Sequence, residues 1–244
     1  MSASFEELDR RATPMGEISL RRRLEPTLQV DVYEAMLGEE HLMSSLFTVA
    51  EIALATLGLA ALNPADASGA DLDVVVGGLG LGYTARAVLD DPRVRSLHVV
   101  EALPEVIEWH ERGLLPLSTG LTADPRCHLV HGDFFAMVAS DAGFGPGAPE
   151  RCHAVLVDID HTPRHLLHPS HAPFYEVAGL RHLAGSLHPG GVFALWSDDP
   201  PDASYSAVVE AALGPCEAHV VTCPNPHTAG QAANTVYAAR VARA

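Results

Sequence analysis

The amino-acid sequence predicts a doubly wound α/β fold: a seven-stranded, mostly parallel sheet with helices on both faces and a small N-terminal β appendage. Two observations predict it. From residue 73 onward, short apolar runs alternate with helical stretches, a spacing typical of right-handed crossovers between parallel strands. A glycine-rich segment follows the first of these runs, where a tight turn from strand to helix is expected. The 244 residues are enough for one buried α/β core and too few for two complete enzyme domains.

Three segments are predicted along the chain: a loose N-terminal arm over 1–13, a small β region with a helix over 14–60, and the main α/β domain over 61–244. The arm is polar and lacks periodicity, which favours weak docking. The middle segment has short β-compatible runs and then a periodic apolar stretch that stops at a glycine. Its predicted elements are two strands and a helix with a serine or threonine cap: Glu17–Leu20, Leu28–Tyr33 and Ser44–Leu59, capped by Ser45 or Thr48.

The third segment supplies the large sheet and the helices that cover it. Its predicted strands are Asp73–Val76, Ser96–Val100, Cys127–His131, His153–Val157, Gly191–Trp196, His219–Cys223 and Thr235–Arg240. Its predicted helices are Tyr83–Leu89, Pro104–Leu114, Phe134–Ala139, Phe174–Leu187 and Ser204–Leu213. In a sheet of this kind, ligands bind beyond the carboxyl ends of the strands. The residues that follow each strand are therefore the candidate site residues.

The composition excludes several classes of function. Fifteen basic residues, all of them Arg, stand against 31 acidic ones, for a formal net charge of -16. Such a field repels phosphate backbones, so no nucleic acid partner is expected, and the absence of Lys excludes lysine Schiff-base chemistry. No apolar run reaches the ~20 residues of a spanning helix, and the N-terminus has no signal-peptide pattern. We expect a cytoplasmic protein that acts on a small molecule, without a membrane partner.

The strongest motif is the run Val74–Gly82, an apolar strand that continues into glycines and then into a helix. Glycine is needed there because the chain turns tightly and its backbone must approach a ligand closely. Glu101 ends the second strand about 20 residues later, where a carboxylate can accept both ribose hydroxyls. Asp133 and Asp158 follow the third and fourth strands. Helix capping explains any one of these acids, but together with the glycines they predict a nucleoside pocket.

These residues resemble the class I S-adenosylmethionine-dependent methyltransferases, and within them the spermidine synthase-like (aminopropyltransferase) branch. The resemblance implies a Rossmann-like sheet that ends in an antiparallel hairpin, S-adenosylmethionine or its decarboxylated form as co-substrate, and a homodimer formed through the N-terminal β region. It also implies a set of residues around the nucleoside of the co-substrate: Gly77, Gly78, Leu79, Gly80, Gly82, Glu101, Ala102, Gly132, Asp133, Phe134 and Asp158.

The sequence departs from the spermidine synthase pattern at the places that would bind an amine. The glycine loop contains no acid to hold the aminopropyl group of the donor. Three residues after Asp158, His161 stands where those enzymes have a second acid, and Thr48–Ala55 is mainly apolar. Because an ammonium group without partners is costly to bury, these departures favour methyl transfer to a small molecule over aminopropyl transfer. Cyclisation of the donor remains open.

Transfer from a sulfonium requires no covalent nucleophile, because the protein mainly holds donor carbon and acceptor in near-attack geometry. If the acceptor is an amine, Asp158 is expected to orient it and take its proton. Asp160 and His161 are the next candidate catalytic residues, and Tyr175 is expected to reach the same region from the following helix.

Three alternatives are weighed against this hypothesis. The histidines His161, His165, His168 and His171 suggest a metal site, but their spacing matches no established ligand frame, and no metal is expected. A nicotinamide-dependent oxidoreductase fits poorly, because the loop lacks the G-x-G-x-x-G spacing. A binding module without activity is motivated by the apolar residues near Ile52 and Leu54, whereas the three retained acids argue against it.

Overall fold

The structure, a computed structural model, describes residues 5–62, 71–140, 143–225 and 230–242. Within these ranges the strands form a four-stranded N-terminal sheet and a seven-stranded central sheet. The N-terminal sheet is an antiparallel meander in chain order, formed by β1 (Phe5–Thr13), β2 (Gly16–Glu25), β3 (Val30–Leu37) and β4 (Glu40–Ser44). On β2, Ile18 and Leu20 point to the same face and are fully buried, as expected for strands with one face against a core.

The prediction of a loose arm over residues 1–13 is wrong for residues 5–13; residues 1–4 lie outside the described ranges. Strand β1 pairs with β2 along its length. It is also bound to helix α3 (Pro104–Glu111): the indole Nε1 of Trp109 donates to Asp9 at 2.7 Å, and Arg11 donates to Glu108 at 2.8 Å. The charged residues that suggested disorder are therefore partners of a neighbouring element.

Helix α1 (Val49–Ala60) begins five residues later than predicted. Ser44 ends β4, and the hydroxyl of Ser45 accepts the backbone N–H of Tyr33 at 2.9 Å, so this stretch belongs to the N-terminal sheet. Leu54 is fully buried on the face of α1 that packs against the central sheet. Gly58 lies so close to that sheet that a Cβ there would come within 2.6 Å of Leu156. Helix α1 is thereby packed closely against one face of the central sheet.

The predicted fold class is confirmed. The central sheet contains β5 (Leu72–Gly77), β6 (Val94–Glu101), β7 (Cys127–His131), β8 (Cys152–Val157), β9 (Leu187–Ser197), β10 (Cys216–Asn225) and β11 (Gly230–Arg240). The strand order is β10-β11-β9-β8-β5-β6-β7, in which β9 to β7 are parallel and β10 and β11 form an antiparallel hairpin. The chain order reverses between β8 and β5, where ligand crevices form in such sheets.

The remaining helices are α2 (Tyr83–Leu89), α4 (Ser118–Thr122), α5 (Phe134–Ala139), α6 (Val177–Ala184) and α7 (Ala203–Leu213). The helix predicted over Phe174–Leu187 is wrong at both ends. A 3₁₀ helix covers Pro169–Tyr175, an extended residue, Glu176, separates it from α6, and β9 already begins at Leu187. No helix among the described residues is long and apolar enough to cross a lipid bilayer.

Candidate functional site

A cavity of about 700 Å³ lies at the carboxyl ends of the parallel strands, under the edge of the N-terminal sheet. Met15 and Met43 line it from the N-terminal sheet, and Glu51 lines it from α1. The opposite wall is built from the residues that follow β5, β6, β7, β8 and β9. The cavity therefore lies where the sequence predicts a ligand.

The glycine loop that follows β5 forms one wall of the cavity. Gly78 has φ +94°, and a Cβ there would lie 2.1 Å from the backbone oxygen of Asp158. Gly82 has φ +91° and precedes the first residue of α2; a Cβ there would lie 2.5 Å from Leu121. Both positions thus combine a left-handed backbone with a lack of space, which is the reason for glycine. Gly78, Leu79, Gly80 and Gly82 line the cavity, whereas Gly77 lies behind it, packed on the ring of Phe134.

Glu101 closes β6 and holds the glycine loop from the side. Its carboxylate accepts the backbone N–H of Leu79 at 3.0 Å and that of Leu103 at 2.8 Å. Burial raises the pKa of Glu101, although four backbone N–H groups act in the opposite direction. Glu101 and its neighbour Ala102 line the cavity, and their binding of the co-substrate stays a prediction.

Asp133 and Phe134 follow β7 and form the end of the cavity below the outer edge of the sheet. Asp133 is exposed and caps α5 by accepting the backbone N–H of Ala136 at 3.1 Å. Phe134 is almost fully buried under the glycine loop. Gly132 does not line the cavity; a Cβ there would meet the side chain of Met137 at 2.9 Å. Asp133 thus combines the N-cap of α5 with a position in the cavity wall.

Three carboxylate residues line the other side of the cavity. Asp158 follows β8, Asp198 follows β9, and Glu51 projects from the first turn of α1. The hydroxyl of Thr84 donates to Asp158 at 2.6 Å, and the side-chain amide of Asn234 donates to Asp198 at 2.6 Å. We call Glu51, Asp158 and Asp198 the acidic cluster.

Two members of the acidic cluster, Glu51 and Asp158, hold protons more tightly than ordinary carboxyl groups do. Burial raises the pKa of Asp158 to about 6, against the hydrogen bond from Thr84. Burial and then the charges of Asp158 and Asp198 raise the pKa of Glu51 to about 8. Like charges in a poorly solvated space disfavour ionisation, so Glu51 and Asp158 release their protons in coupled steps. A cation between these side chains would offset the repulsion between their negative charges and favour their ionised forms.

Asp160 and Tyr175 do not line the cavity, and the prediction that they act on the acceptor is corrected. Asp160 is buried behind the wall, where it accepts the N–H of Leu167 at 2.6 Å, the hydroxyl of Tyr175 at 2.8 Å and Nδ1 of His171 at 2.9 Å. Asp158 faces the cavity, whereas the chain beyond β8 turns Asp160 away from it. The residue that the buried pair positions, His171, does line the cavity.

The four clustered histidines do not converge. His161 lines the cavity with Nε2 at 3.2 Å from Glu40, and its ring stacks on that of His165 at 4.8 Å. His168 bonds to Ser170, whereas His171 bonds to Asp160. Over the residues that the structure describes, no three His, Cys, Asp or Glu side chains are grouped so that they could hold a metal ion.

Sequence reasoning missed Glu51 and Asp198. Each carries a signal that could have been used. Glu51 is the one acid in the otherwise apolar stretch Val49–Leu54 of a helix, and Asp198 follows a buried strand just as Asp158 does. The stretch Val49–Leu54 was interpreted from its apolar majority. The strand before Asp198 was predicted to end at Trp196, so Asp198 was not recognised as a residue that follows a strand.

No family model matches the sequence. The chain is similar to polyamine aminopropyltransferase 2 of Pseudomonas aeruginosa, with 29% identity over 163 residues, or 63% of this chain and 43% of that protein. It is also similar to the polyamine aminopropyltransferase of Mycobacterium tuberculosis, with 30% identity over 138 residues, or 56% of this chain and 24% of that protein. The matched region thus spans less than half the length of these curated relatives.

Solved structures show the same fold. Spermidine synthase from Thermotoga maritima superposes with a TM-score of 0.71 and 15% identity over 96% of this chain and 72% of that chain. A spermidine synthase in complex with the transition-state analogue AdoDATO gives a TM-score of 0.73 and 15% identity over 96% of this chain and 73% of that chain. Human methyltransferase-like protein 13, in complex with SAH, gives a TM-score of 0.54 and 22% identity over 79% of this chain and 82% of that chain. The chain therefore resembles polyamine aminopropyltransferases over part of its sequence and spermidine synthases in fold.

Proposed function

We propose that the chain transfers an aminopropyl group from decarboxylated S-adenosylmethionine to an aliphatic amine. The observation that carries this proposal is the acidic cluster, which supplies the carboxylates that an ammonium-bearing acceptor needs and that sequence reasoning did not locate. The similarity to polyamine aminopropyltransferases supports it. The preference for methyl transfer rested on a glycine loop without an acid, on His161 in place of a second acid and on the mainly apolar stretch Thr48–Ala55. Glu51 and Asp198 supply carboxylates that answer the last two premises, whereas the loop still carries no acid.

The charge of the cavity also favours a donor without a carboxylate. Its acidic lining residues are Glu51, Glu101, Asp133, Asp158 and Asp198, and no Arg is present among its described lining residues. S-adenosylmethionine carries an α-carboxylate that would meet this negative field, whereas the decarboxylated donor carries only positive groups. Ion pairing in a partly desolvated cavity is stronger than in water, so this difference acts on binding.

The acceptor enters as an ammonium ion and must lose one proton before it reacts. An ionised Asp158 orients the nitrogen and takes that proton, directly or through water. The nitrogen lone pair then attacks the aminopropyl carbon bonded to the sulfonium; the N–C bond forms and the C–S bond breaks. The electron pair of the broken bond stays on sulfur, which leaves as the neutral thioether 5′-methylthioadenosine. Glu51 and Asp198 hold a remaining ammonium group of the acceptor during this step.

The test incubates the protein with 1,4-diaminobutane and either donor, and measures thioether release and alkylated amine by mass spectrometry. We expect transfer with decarboxylated S-adenosylmethionine. In Asp158→Asn we expect kcat/KM to fall by a factor of about 100 or more. Asp202→Asn makes the same chemical change at the N-terminus of α7, outside the cavity, and is expected to keep full activity. Absence of transfer from either donor would contradict the proposal.

Methyl transfer is the second candidate, favoured by the apolar Leu79 and Leu81 in the glycine loop, which offer no carboxylate to the donor's amine. The same assay separates the two reactions. Release of S-adenosylhomocysteine with a higher kcat/KM than that measured for the decarboxylated donor would replace the first proposal by the second. A homodimer and a cytoplasmic location stay predictions.

A further inference from the structure

His171 is held in one orientation by a buried hydrogen-bond network. Its Nδ1 lies 2.9 Å and 3.0 Å from the two carboxylate oxygens of Asp160, whose side chain is completely buried. Tyr175 and the backbone N–H of Leu167 donate to the same carboxylate. Burial raises the pKa of Tyr175 well above its usual value, so its hydroxyl remains a donor. The network fixes the imidazole without using its second nitrogen.

The imidazole of His171 lines the cavity next to the residues that follow β7. It stacks on the ring of Phe135 at 4.0 Å with 28° between the planes, and Phe135 follows Phe134 and Asp133 at the start of α5. No described residue forms a hydrogen bond with Nε2 of His171. This atom is also not one of the solvent-inaccessible side-chain N and O atoms that lack a partner, so it is exposed. Nε2 is therefore accessible from the cavity.

The strand order assigns this side of the cavity to the nucleoside base. Glu101 follows β6 and Asp133 follows β7, whereas Asp158 and Asp198 follow β8 and β9 on the other side of the glycine loop. With a ribose at Glu101 and the transferred group toward the acidic cluster, the base lies against Phe134 and Phe135. This step rests on the proposed function, because it requires a nucleoside donor.

We propose that His171 is a base-recognition residue, that Asp160 sets its tautomer, and that together they select a 6-amino over a 6-oxo purine. An ionised carboxylate can only accept hydrogen bonds, so Nδ1 carries the proton and Nε2 presents a lone pair to the cavity. The 6-amino group of adenine has two hydrogens, one for Nε2 and one for the carboxylate of Asp133. The 6-oxo group of hypoxanthine is itself an acceptor, so it cannot form a hydrogen bond with either Nε2 or the carboxylate.

The assignment is tested by calorimetric binding of two thioether nucleosides at pH 8: 5′-methylthioadenosine and 5′-methylthioinosine. The wild-type protein is expected to bind the adenosine at least tenfold more tightly. In Asp160→Asn the side-chain amide donates to Nδ1, so the proton moves to Nε2, which then favours the 6-oxo group. We expect the ratio of the two dissociation constants to fall at least fivefold in this variant.

A second variant and a control make the result independent of one substitution. His171→Phe keeps an aromatic ring against Phe135, leaves Asp160 with two donors, and is expected to lower the ratio about threefold or more. Tyr175→Phe removes a hydrogen bond to the same carboxylate but leaves the tautomer of His171 unchanged. The ratio of the two dissociation constants is therefore expected to stay within twofold of wild type. Thermal unfolding of each variant confirms that it is folded.

The imidazole ¹⁵N spectrum reports the tautomer itself. The signals lost in His171→Phe identify the residue, and they are expected to show a protonated Nδ1 in the wild-type protein and a protonated Nε2 in Asp160→Asn. Unchanged ratios in folded Asp160→Asn and His171→Phe would overturn the inference while leaving the transfer proposal intact. Failure of the wild-type protein to bind either nucleoside would overturn both.

Discussion

Gly78 shows how a single residue joins the two halves of the site. Its φ is left-handed, and a Cβ added to it would lie 2.1 Å from the backbone oxygen of Asp158, which leaves no room for a side chain. We expect Gly78→Ala to lower the free energy of unfolding by about 3 kcal/mol or more and to abolish nucleoside binding, because the loop and the residues after β8 must separate. Chemical denaturation and calorimetry measure the two effects.

Gly113 provides the matched control. It has φ +71° but nothing within 4 Å of a Cβ position. Gly113→Ala should cost only the left-handed strain, about 1 kcal/mol, with nucleoside binding unchanged. Equal effects of the two substitutions would show that backbone strain alone, and not the close approach to Asp158, explains the glycine.

At the scale of single residues, the sequence predicted the acids that follow strands better than it predicted their directions. Asp158 and Asp133 line the cavity as expected. Asp160 was predicted with Asp158 because it is two positions away, but the chain leaves the strand there and turns its carboxylate into the core. Glu51 was missed because its function depends on where α1 docks, and helical periodicity does not contain that information.

At the scale of elements, β1 is anchored by a polar contact with a buried aromatic residue. Trp109 is fully buried, and its indole N–H donates to Asp9. Asp9→Ala leaves that donor without a partner, which should cost about 1–3 kcal/mol and lower the Tm by several degrees. Differential scanning calorimetry measures the loss, and the fluorescence of Trp109 reports whether β1 detaches.

Asp31, an exposed aspartate on β3, is the control for that change. Asp31→Ala removes the same carboxylate from the same sheet and is expected to change stability by less than about 0.5 kcal/mol. If Asp9→Ala were equally neutral, the loose arm expected from composition would be the better description of residues 5–13.

Element prediction succeeded where a pattern is local and failed where partners are distant. The run into Gly78 combines an apolar strand with glycines, and its position was predicted within two residues. Strand β1 has no apolar alternation, because it is fixed by hydrogen bonds to β2 and by side-chain contacts with α3. The helix predicted to begin at Ser44 failed for the same reason: the first residues of that stretch belong to a sheet whose other strands precede it.

At the scale of the whole molecule, stability depends on pH through buried groups of two kinds. Burial lowers the pKa of His98 and His110 below their usual value of 6.5. The unfolded chain therefore binds more protons as the pH falls below 6.5, and stability decreases toward acid. Glu51 and Asp158 act in the opposite direction, because the folded chain keeps protons on them that the unfolded chain has released.

Glu51 makes the alkaline side of this profile testable. Between its unfolded value of 4.5 and its folded value of about 8, the folded chain binds more protons, so Glu51 lowers stability progressively as the pH rises. Glu51→Gln removes this titration, so the variant should match wild type near pH 4 and exceed its stability above pH 8. The gain is expected to be roughly 1–2 kcal/mol, or about 2–8 °C in Tm, well below the full linkage energy because Glu51 is only partly buried and water screens its charge. Glu111→Gln makes the same change at an exposed position on α3 and should leave the difference near zero at every pH. Calorimetric melts from pH 4 to pH 9 without ligand give the curves.

A diamine provides a second test of Glu51. A bound ammonium group is expected to offset the cost of ionising Glu51 in the folded chain, so a saturating diamine should raise the alkaline Tm of the wild-type protein more than that of Glu51→Gln. Equal increases in Tm would show that Glu51 does not contact the bound diamine.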